Sequence, residues 1–258
     1  MIKIGIAGCK GRMGKQLIKI IAEQRGVSLC AGLVSSENDC ADEINAGLNP
    51  TTNLEAFFDA SDVVIDFTCP EASLKNLKLA GRKKVPILIG TSGLGDIHQK
   101  TAAESAKHTS IIIAPNTSLS VNVMLSMAKK MAAALDDSFD IEIAETHHRH
   151  KVDAPSGTAF AIGESVAEGR NVRLNEKAVY DRHDSNKPRE VGEIGFTSMR
   201  GGSITGEHTL HFHGDGESIS LNSQVFDRAI FAKVAVKAAS WLNSQQPGLY
   251  TMADVLGI

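Results

Sequence analysis

Ile2 to Ala7 is a β-branched run without helical periodicity, and it leads directly into Gly8-Cys9-Lys10-Gly11-Arg12-Met13-Gly14. A helical pattern of Leu17, Ile18, Ile20 and Ile21 follows at once. This strand, glycine turn and helix at the very start of the chain constrain the fold more than any other feature, because together they open a βαβ unit. The glycines let the backbone turn tightly and bring bare N–H groups and a helix N-terminus up to a pyrophosphate. The spacing departs from the usual G-x-G-x-x-G in its second glycine, and a turn without a ligand would produce the same pattern. Its place directly after the first strand favours a dinucleotide.

Further apolar runs follow at parallel-strand spacing: Val27 to Val34, Val63 to Phe67, Pro86 to Gly90 and Ser110 to Ala114. Their hydrophobicity is continuous rather than alternating, which predicts strands covered on both faces and a Rossmann-like doubly wound parallel sheet. After Asn116 the pattern changes. Leu119 to Leu135 reads as a long amphipathic helix, and Phe139 to Glu145 alternates, with Ile141 and Ile143 on one side. Three strand-like runs between Glu190 and Val225, broken by Gly201-Gly202 and Gly214-Asp215-Gly216, predict a mixed or antiparallel sheet. The fold class is therefore α/β, with a second domain of α+β type. The expected division is 1–118 plus 228–258 for dinucleotide binding and 119–227 for substrate binding and oligomerisation. Asp181 to Arg189, polar and containing Pro188, is expected to be a flexible loop, and the short apolar tail from Gly248 to pack back on the first domain.

Composition excludes several classes of function. Lys plus Arg number 27 against 30 Asp plus Glu, so the overall balance calls for neither nucleic acid nor an anionic membrane. Any anion must be bound locally. Cys9, Cys30, Cys40 and Cys69 form no C-x-x-C pair, which points to reduced thiols rather than a zinc ribbon or redox motif. No run approaches a membrane span or a signal-peptide core, and a cytoplasmic protein is expected.

Ligands of open α/β sheets sit beyond the carboxyl ends of the strands, where Gly90-Thr91-Ser92-Gly93 and Ala114-Pro115-Asn116-Thr117-Ser118 fall. Both loops are expected to flank a nicotinamide ribose. NAD-binding folds place an acid at the end of the second strand, but here that strand ends Leu33-Val34-Ser35-Ser36. Glu37 comes slightly late. Ser35 and Ser36, with Lys10 and Arg12, suit a 2′-phosphate, so NADP(H) is favoured while NAD(H) stays open.

The densest cluster of protonatable groups is His147, His148, His150 and Lys151. A zinc site is disfavoured, because no cysteine joins the cluster and Lys151 would repel a cation; no metal is expected. A solvated basic loop is the plain alternative. The residues that follow favour an anion-binding, proton-donating site instead. Pro155 and Ser156 begin a helix whose first turn is Ser156-Gly157-Thr158, and such an N-terminus receives a carboxylate or phosphate. Neighbouring cations should lower a histidine's pKa and ready it for proton exchange. A cationic pocket, a proton donor and a dinucleotide together imply hydride transfer to an acidic, unsaturated substrate. His211 and His213 alternate on one strand face; packing or an interface is favoured there over a metal pair.

The run Glu145-x-His147-His148-x-x-Lys151-x-Asp153-Ala154-Pro155-Ser156-Gly157-Thr158-Ala159 closely resembles the signature of the dihydrodipicolinate reductase family. The resemblance extends to the Gly-Arg-Met-Gly loop, Gly90 to Gly93, Ala114 to Ser118, Gly192 to Phe196, Gly206 to Thr209 and Gly248-Leu249-Tyr250. It implies NAD(P)H-dependent reduction of 4-hydroxy-tetrahydrodipicolinate, a small dicarboxylate, in diaminopimelate and lysine biosynthesis, with hydride passing to C4 of a conjugated cyclic imine formed as water leaves. By the same resemblance His147 is the catalytic acid/base and Lys151 a second proton donor, while His148, Lys151, Ser156, Gly157 and Thr158 hold the substrate carboxylates. Cofactor contacts are implied for Gly8, Cys9, Lys10, Gly11, Arg12, Met13 and Gly14, for Val34 and Ser35, and for Gly90, Thr91 and Ser92. Ala114, Pro115, Asn116, Thr117 and Arg228 complete that set. Also implied are a homotetramer assembled through the strands of Glu190 to Val225 and a site in a cleft between domains that closes on the substrate. Many members carry an acid where Val34 and Ser35 stand, which bears on cofactor preference rather than on the reaction. A nicotinamide-sensing binding protein would have no need of the proton donors, and an aspartate-semialdehyde dehydrogenase should show a catalytic cysteine, whereas none occurs after Cys69.

Overall fold

The computed structural model describes residues 1–258 except 41, 42, 45–47 and 184. The chain divides into two compact units, Met1–Ser118 with Ala229–Gly257, and Leu119–Arg228. The return to the first unit falls at Ala229, one residue later than the expected start at Arg228.

The first unit is built on six parallel strands. They are β1 (Ile2–Ala7), β2 (Val27–Leu33), β3 (Val63–Asp66), β4 (Ile87–Ile89), β5 (Ser110–Ile113) and, far along the chain, β11 (Gly248–Tyr250). Their order is β11-β5-β4-β3-β1-β2. The chain steps from β1 outward to β2 and then crosses back to β3, so a topological switch point opens beyond the carboxyl ends of β1 and β3. Helices α2 (Leu54–Asp59), α3 (Pro70–Lys83) and α4 (Asp96–Ser105) seal one face. There Phe57, Phe58, Leu77 and Ala102 pack on Val64, Ile87, Ile89 and Ile111. Helix α1 (Arg12–Glu23) packs beside α8 (Ala229–Leu242), which lies along β3, β4 and β5. Burial on both faces is why these strands read as continuous apolar runs.

β11 was not recognisable as a strand. Its three residues include a glycine and show no strand pattern, and only parallel pairing of Gly248 to Tyr250 with Ser110 to Ile112 makes it one. The short helix α9 (Met252–Leu256) follows it, its Thr251 cap and Asp254 forming a reciprocal capping box.

The second unit carries a five-stranded mixed sheet, ordered β10-β9-β6-β8-β7. The strands are β6 (Asp140–His147), β7 (Ala178–Val179), β8 (Ile194–Arg200), β9 (Gly206–His213) and β10 (Ser218–Val225). β6 pairs parallel with β8 and antiparallel with β9. On one face lie α5 (Leu119–Ala134) and α6 (Gly157–Gly169), whose Met124, Ala128, Ile162 and Val166 close on Ile141, Ile143, Phe196, Leu210 and Phe212. The opposite face exposes Thr197, Met199 and His213. A helical turn, α7 (Leu174–Lys177), and the two-residue β7 were not expected, both being too short for any period to register. Between Asp181 and Arg189 the described residues form neither helix nor strand, and Asp184 lies outside the described residues. None of the described helices is long and apolar enough to cross a membrane.

Candidate active site

Two constellations collect the residues singled out in the sequence, one in each unit. In the first unit, Gly8 follows β1 with φ +79, a backbone conformation in which a side chain would be strained; a Cβ there would stand 2.7 Å from the Phe67 carbonyl oxygen. At Gly14 a Cβ would lie 2.3 Å from Gly8 O and 2.5 Å from Cys9 O, so α1 sits directly on the turn. Gly8 N and Cys9 N both donate to Leu33 O, at 3.0 and 3.4 Å, which ties the loop to the end of β2. Gly11 is the N-cap of α1; no described side chain caps it, and no acidic residue stands in the first turn. This helix end suits an anion.

Beside it lies a cavity of about 440 Å³. Arg12 and Met13 of α1, the Gly90–Ser92 loop and Pro115, Asn116 and Thr117 all line it, so three separate stretches of sequence meet in one place. Phe67, Thr68 and Phe231 also line it and were missed. Phe67 and Thr68 follow β3, and the rule that ligands gather beyond strand carboxyl ends applies to β3 as much as to β4 and β5. Beneath them Asp66 is fully buried, accepting from Thr68 Oγ1 at 2.6 Å, Asn76 Nδ2 at 2.8 Å and Thr91 Oγ1 at 3.3 Å. Burial pushes its carboxyl up, against these hydrogen bonds. Thr91 Oγ1 in turn accepts from Thr68 N and Ser73 Oγ, which joins the two loops at the cavity floor.

Other expected cofactor residues are not among those lining this cavity. Ala114 is buried and Cys9 is sealed under the turn, where burial pushes its thiol up to about 11. Val34 N donates to Thr51 O and Ser36 Oγ accepts from Asn38 N, so this stretch begins a 3-10 turn, Glu37–Cys40; Ser35 is exposed. The Glu37 carboxylate accepts from the Thr52 hydroxyl. Arg228 belongs to the second unit, where its charge bears on His148.

The second constellation forms where β6 ends. Ser156 is the N-cap of α6, its Oγ accepting from Ala159 N at 3.1 Å, while Gly157 and Thr158 form the first turn. Lys151 lies in the loop from β6 to α6 and pairs with Asp153 at 2.8 Å, which holds that carboxyl below its usual range. Strand alternation carries Glu145 and His147 to the same face as Ile141 and Ile143. Glu145, only 1% exposed, accepts from His147 Nδ1 at 2.5 Å, from Ser156 N at 3.1 Å and from both Arg200 Nη atoms at 2.7 and 2.8 Å. Burial alone would raise its pKa, but the hydrogen bonds, Arg200's first, bring it down to about 2. Ser156 Oγ also bonds His208 Nε2 at 2.9 Å, and the rings of His147 and His208 meet edge to face with centroids 5.1 Å apart.

Both histidines titrate below the ordinary range. For His147 the first cause is burial, not the neighbouring cations expected from the sequence; Glu145 opposes it, and Lys151 and Arg200 add to it. His208 is pushed down to about 4 by burial and by the charge of His147. Glu145, Arg200 and His208 were not anticipated as parts of the site. The signal was available: each alternates in register with core residues of its strand, where a charged or titratable group needs a partner. His150 is exposed, with its ring 6.3 Å from that of His148. On the other sheet face His211 and His213 stack at 5.1 Å, and His211 Nδ1 bonds Ser220 Oγ. Among the described residues no group of three or more His, Cys, Asp or Glu side chains is placed to hold a metal ion.

The family described as "Dihydrodipicolinate reductase, N-terminus" matches residues 2–117, and "Dihydrodipicolinate reductase, C-terminus" matches 120–256. A 4-hydroxy-tetrahydrodipicolinate reductase of Parvibaculum lavamentivorans is 43% identical, covering 100% of this chain and 98% of that protein. One from Zymomonas mobilis is 42% identical with the same coverage. Among solved structures, a dipicolinate-bound dihydrodipicolinate reductase from Paenisporosarcina sp. TG-14 shares the fold, with TM-score 0.81 over 98% of both chains at 24% identity.

Proposed function

The chain belongs to the dihydrodipicolinate reductase family, and on that premise we propose how its residues carry the family's reaction. That reaction is the NAD(P)H-dependent reduction of 4-hydroxy-tetrahydrodipicolinate in diaminopimelate and lysine biosynthesis.

The first unit is the dinucleotide carrier. The forced glycine turn at Gly8, the helix end at Gly11 and the cavity lined by Arg12, Thr91, Ser92 and Asn116 suit a pyrophosphate and a ribose. When bound, the reduced nicotinamide supplies hydride to C4 of the substrate ring. NADPH is favoured over NADH, because among the described residues no carboxylate stands at the end of β2 and Arg12 opens α1.

The second unit holds the substrate. The observation that carries this reading is the meeting of Glu145, His147 and Ser156 in one buried hydrogen-bonded group at the start of α6, with the charge of Lys151 felt at the His147 ring. The α6 N-terminus and Lys151 bind the substrate carboxylates, with His148, Gly157 and Thr158 beside them. His147 exchanges the proton that the reduced ring requires, and Lys151 is the second donor.

The test is loss of reduced-nicotinamide absorbance, with NADPH and NADH run separately, on substrate generated in place from pyruvate and aspartate semialdehyde by the preceding synthase. Rapid oxidation that is lost in His147→Ala supports the assignment. Lys151→Ala should lower turnover and weaken substrate binding while leaving cofactor affinity nearly intact; equal loss of cofactor affinity would count against this division of roles. The sheet face bearing Thr197, Met199, His211 and His213 supports assembly into a homotetramer, which light scattering on wild type and Met199→Glu would test, the variant being expected to dissociate.

A further inference from the structure

Five donors converge on the Glu145 carboxylate: the two Arg200 Nη atoms, the backbone N–H of Ser156, His147 Nδ1 and the Ser198 hydroxyl. An ionised carboxylate can only accept, so His147 Nδ1 must carry the proton of its 2.5 Å bond. The lone pair of the neutral ring is then on Nε2. That atom faces Gly206, where an added Cβ would stand only 3.0 Å away, so the glycine keeps the approach to Nε2 clear.

We propose that Glu145 is a positioning residue for His147, holding its ring as the Nδ1–H tautomer with Nε2 presented for proton exchange, and that Arg200, as the counter-ion of that carboxylate, joins the burial of the ring and the charge of Lys151 in keeping the resting ring neutral. This rests on the acid/base role of His147 given above. Alone, a carboxylate at 2.5 Å would favour imidazolium. Arg200 takes up the carboxylate's charge through a bidentate pair and also bonds Asp153 O at 2.7 Å, which anchors it to the loop before α6. The charged and titratable groups around the ring are Glu145 on β6, His148 and Lys151 in the following loop, Arg200 on β8 and His208 on β9. Apart from Glu145, none of them favours a resident proton on His147. A dicarboxylate arriving beside Lys151 reverses that balance, so ligand binding brings a proton onto Nε2.

Three readings test this. Nitrogen-15 spectra of histidine-labelled wild type should place the His147 proton on Nδ1; an Nε2–H tautomer overturns the proposal without any variant. Titration calorimetry with dipicolinate, in buffers of different ionisation enthalpy at pH 7.5, should show net proton uptake that disappears in His147→Gln; no uptake in wild type overturns the resting-neutral part. Glu145→Gln should lower kcat by on the order of 100-fold or more, as tautomer loss does in other imidazole catalysts, with KM for NADPH unchanged. Full turnover in Glu145→Gln would overturn the positioning role. Undiminished turnover in His147→Ala would instead refute the acid/base assignment, while the tautomer result would stand by itself.

Discussion

Acidification should weaken this fold through His208. Its ring is 4% exposed on β9, its Nε2 bonded to the Ser156 hydroxyl, and burial followed by the charge of His147 holds its pKa near about 4. An ordinary histidine titrates near 6.5. The folded-state value is therefore the lower one, so as pH falls the unfolded chain takes up the proton first and stability drains away. The contribution is intact above about pH 6.5, is lost between there and about 4, and changes no further below. The gap is worth about 3 kcal/mol in full, of which about 2 kcal/mol is lost by pH 5. Other ionisable groups also contribute to the pH dependence of stability, so the test is a comparison. Urea unfolding at pH 7 and pH 5 is measured for wild type and for His208→Gln, whose amide retains a bond to Ser156. Wild type should lose about 2 kcal/mol more than the variant over this interval. Parallel losses would refute the argument, because they would mean that a protonated His208 is accommodated where it lies.

Gly14→Ala would drive a Cβ into the Gly8 and Cys9 carbonyls, and should destabilise by roughly 1–3 kcal/mol and weaken NADPH binding as read by nucleotide fluorescence. Gly95→Ala, where a Cβ meets nothing within 4 Å, should change neither. Ser156→Ala removes both the α6 cap and the His208 partner, and should lower stability by about 1–2 kcal/mol in urea. Thiol labelling of the native protein followed by mass spectrometry should modify exposed Cys69 and leave Cys9 untouched until the chain is unfolded, since burial both shields that thiol and keeps it protonated.

The two units were legible to different depths for physical reasons. A parallel sheet buried on both faces writes itself as unbroken apolar runs, and a backbone forced to positive φ at Gly8 writes itself as glycine, so β1 to β5 and the dinucleotide turn could be read from single stretches. β11 could not, because its strand character comes from an edge 130-odd residues back and not from its own three side chains. The candidate catalytic cluster was half legible. His147, Lys151 and Ser156 are local, within one loop and the helix it enters, whereas Arg200 and His208 reach them only through β6's pairing with β8 and β9. Strand parity nevertheless narrows that search. Glu145 and His147 share the parity of Ile141 and Ile143, Arg200 that of Ile194 and Phe196, and His208 that of Leu210 and Phe212. Four polar residues written onto core-facing positions of three strands cannot each stand alone in an apolar layer, since an unpartnered buried charge costs several kcal/mol. They must therefore find one another, and where they converge the His147 ring meets the Glu145 carboxylate at 2.5 Å. The violation of the apolar pattern was thus the strongest pointer to the site, and it lay in the alternation of the strands rather than in the conspicuous run of histidines.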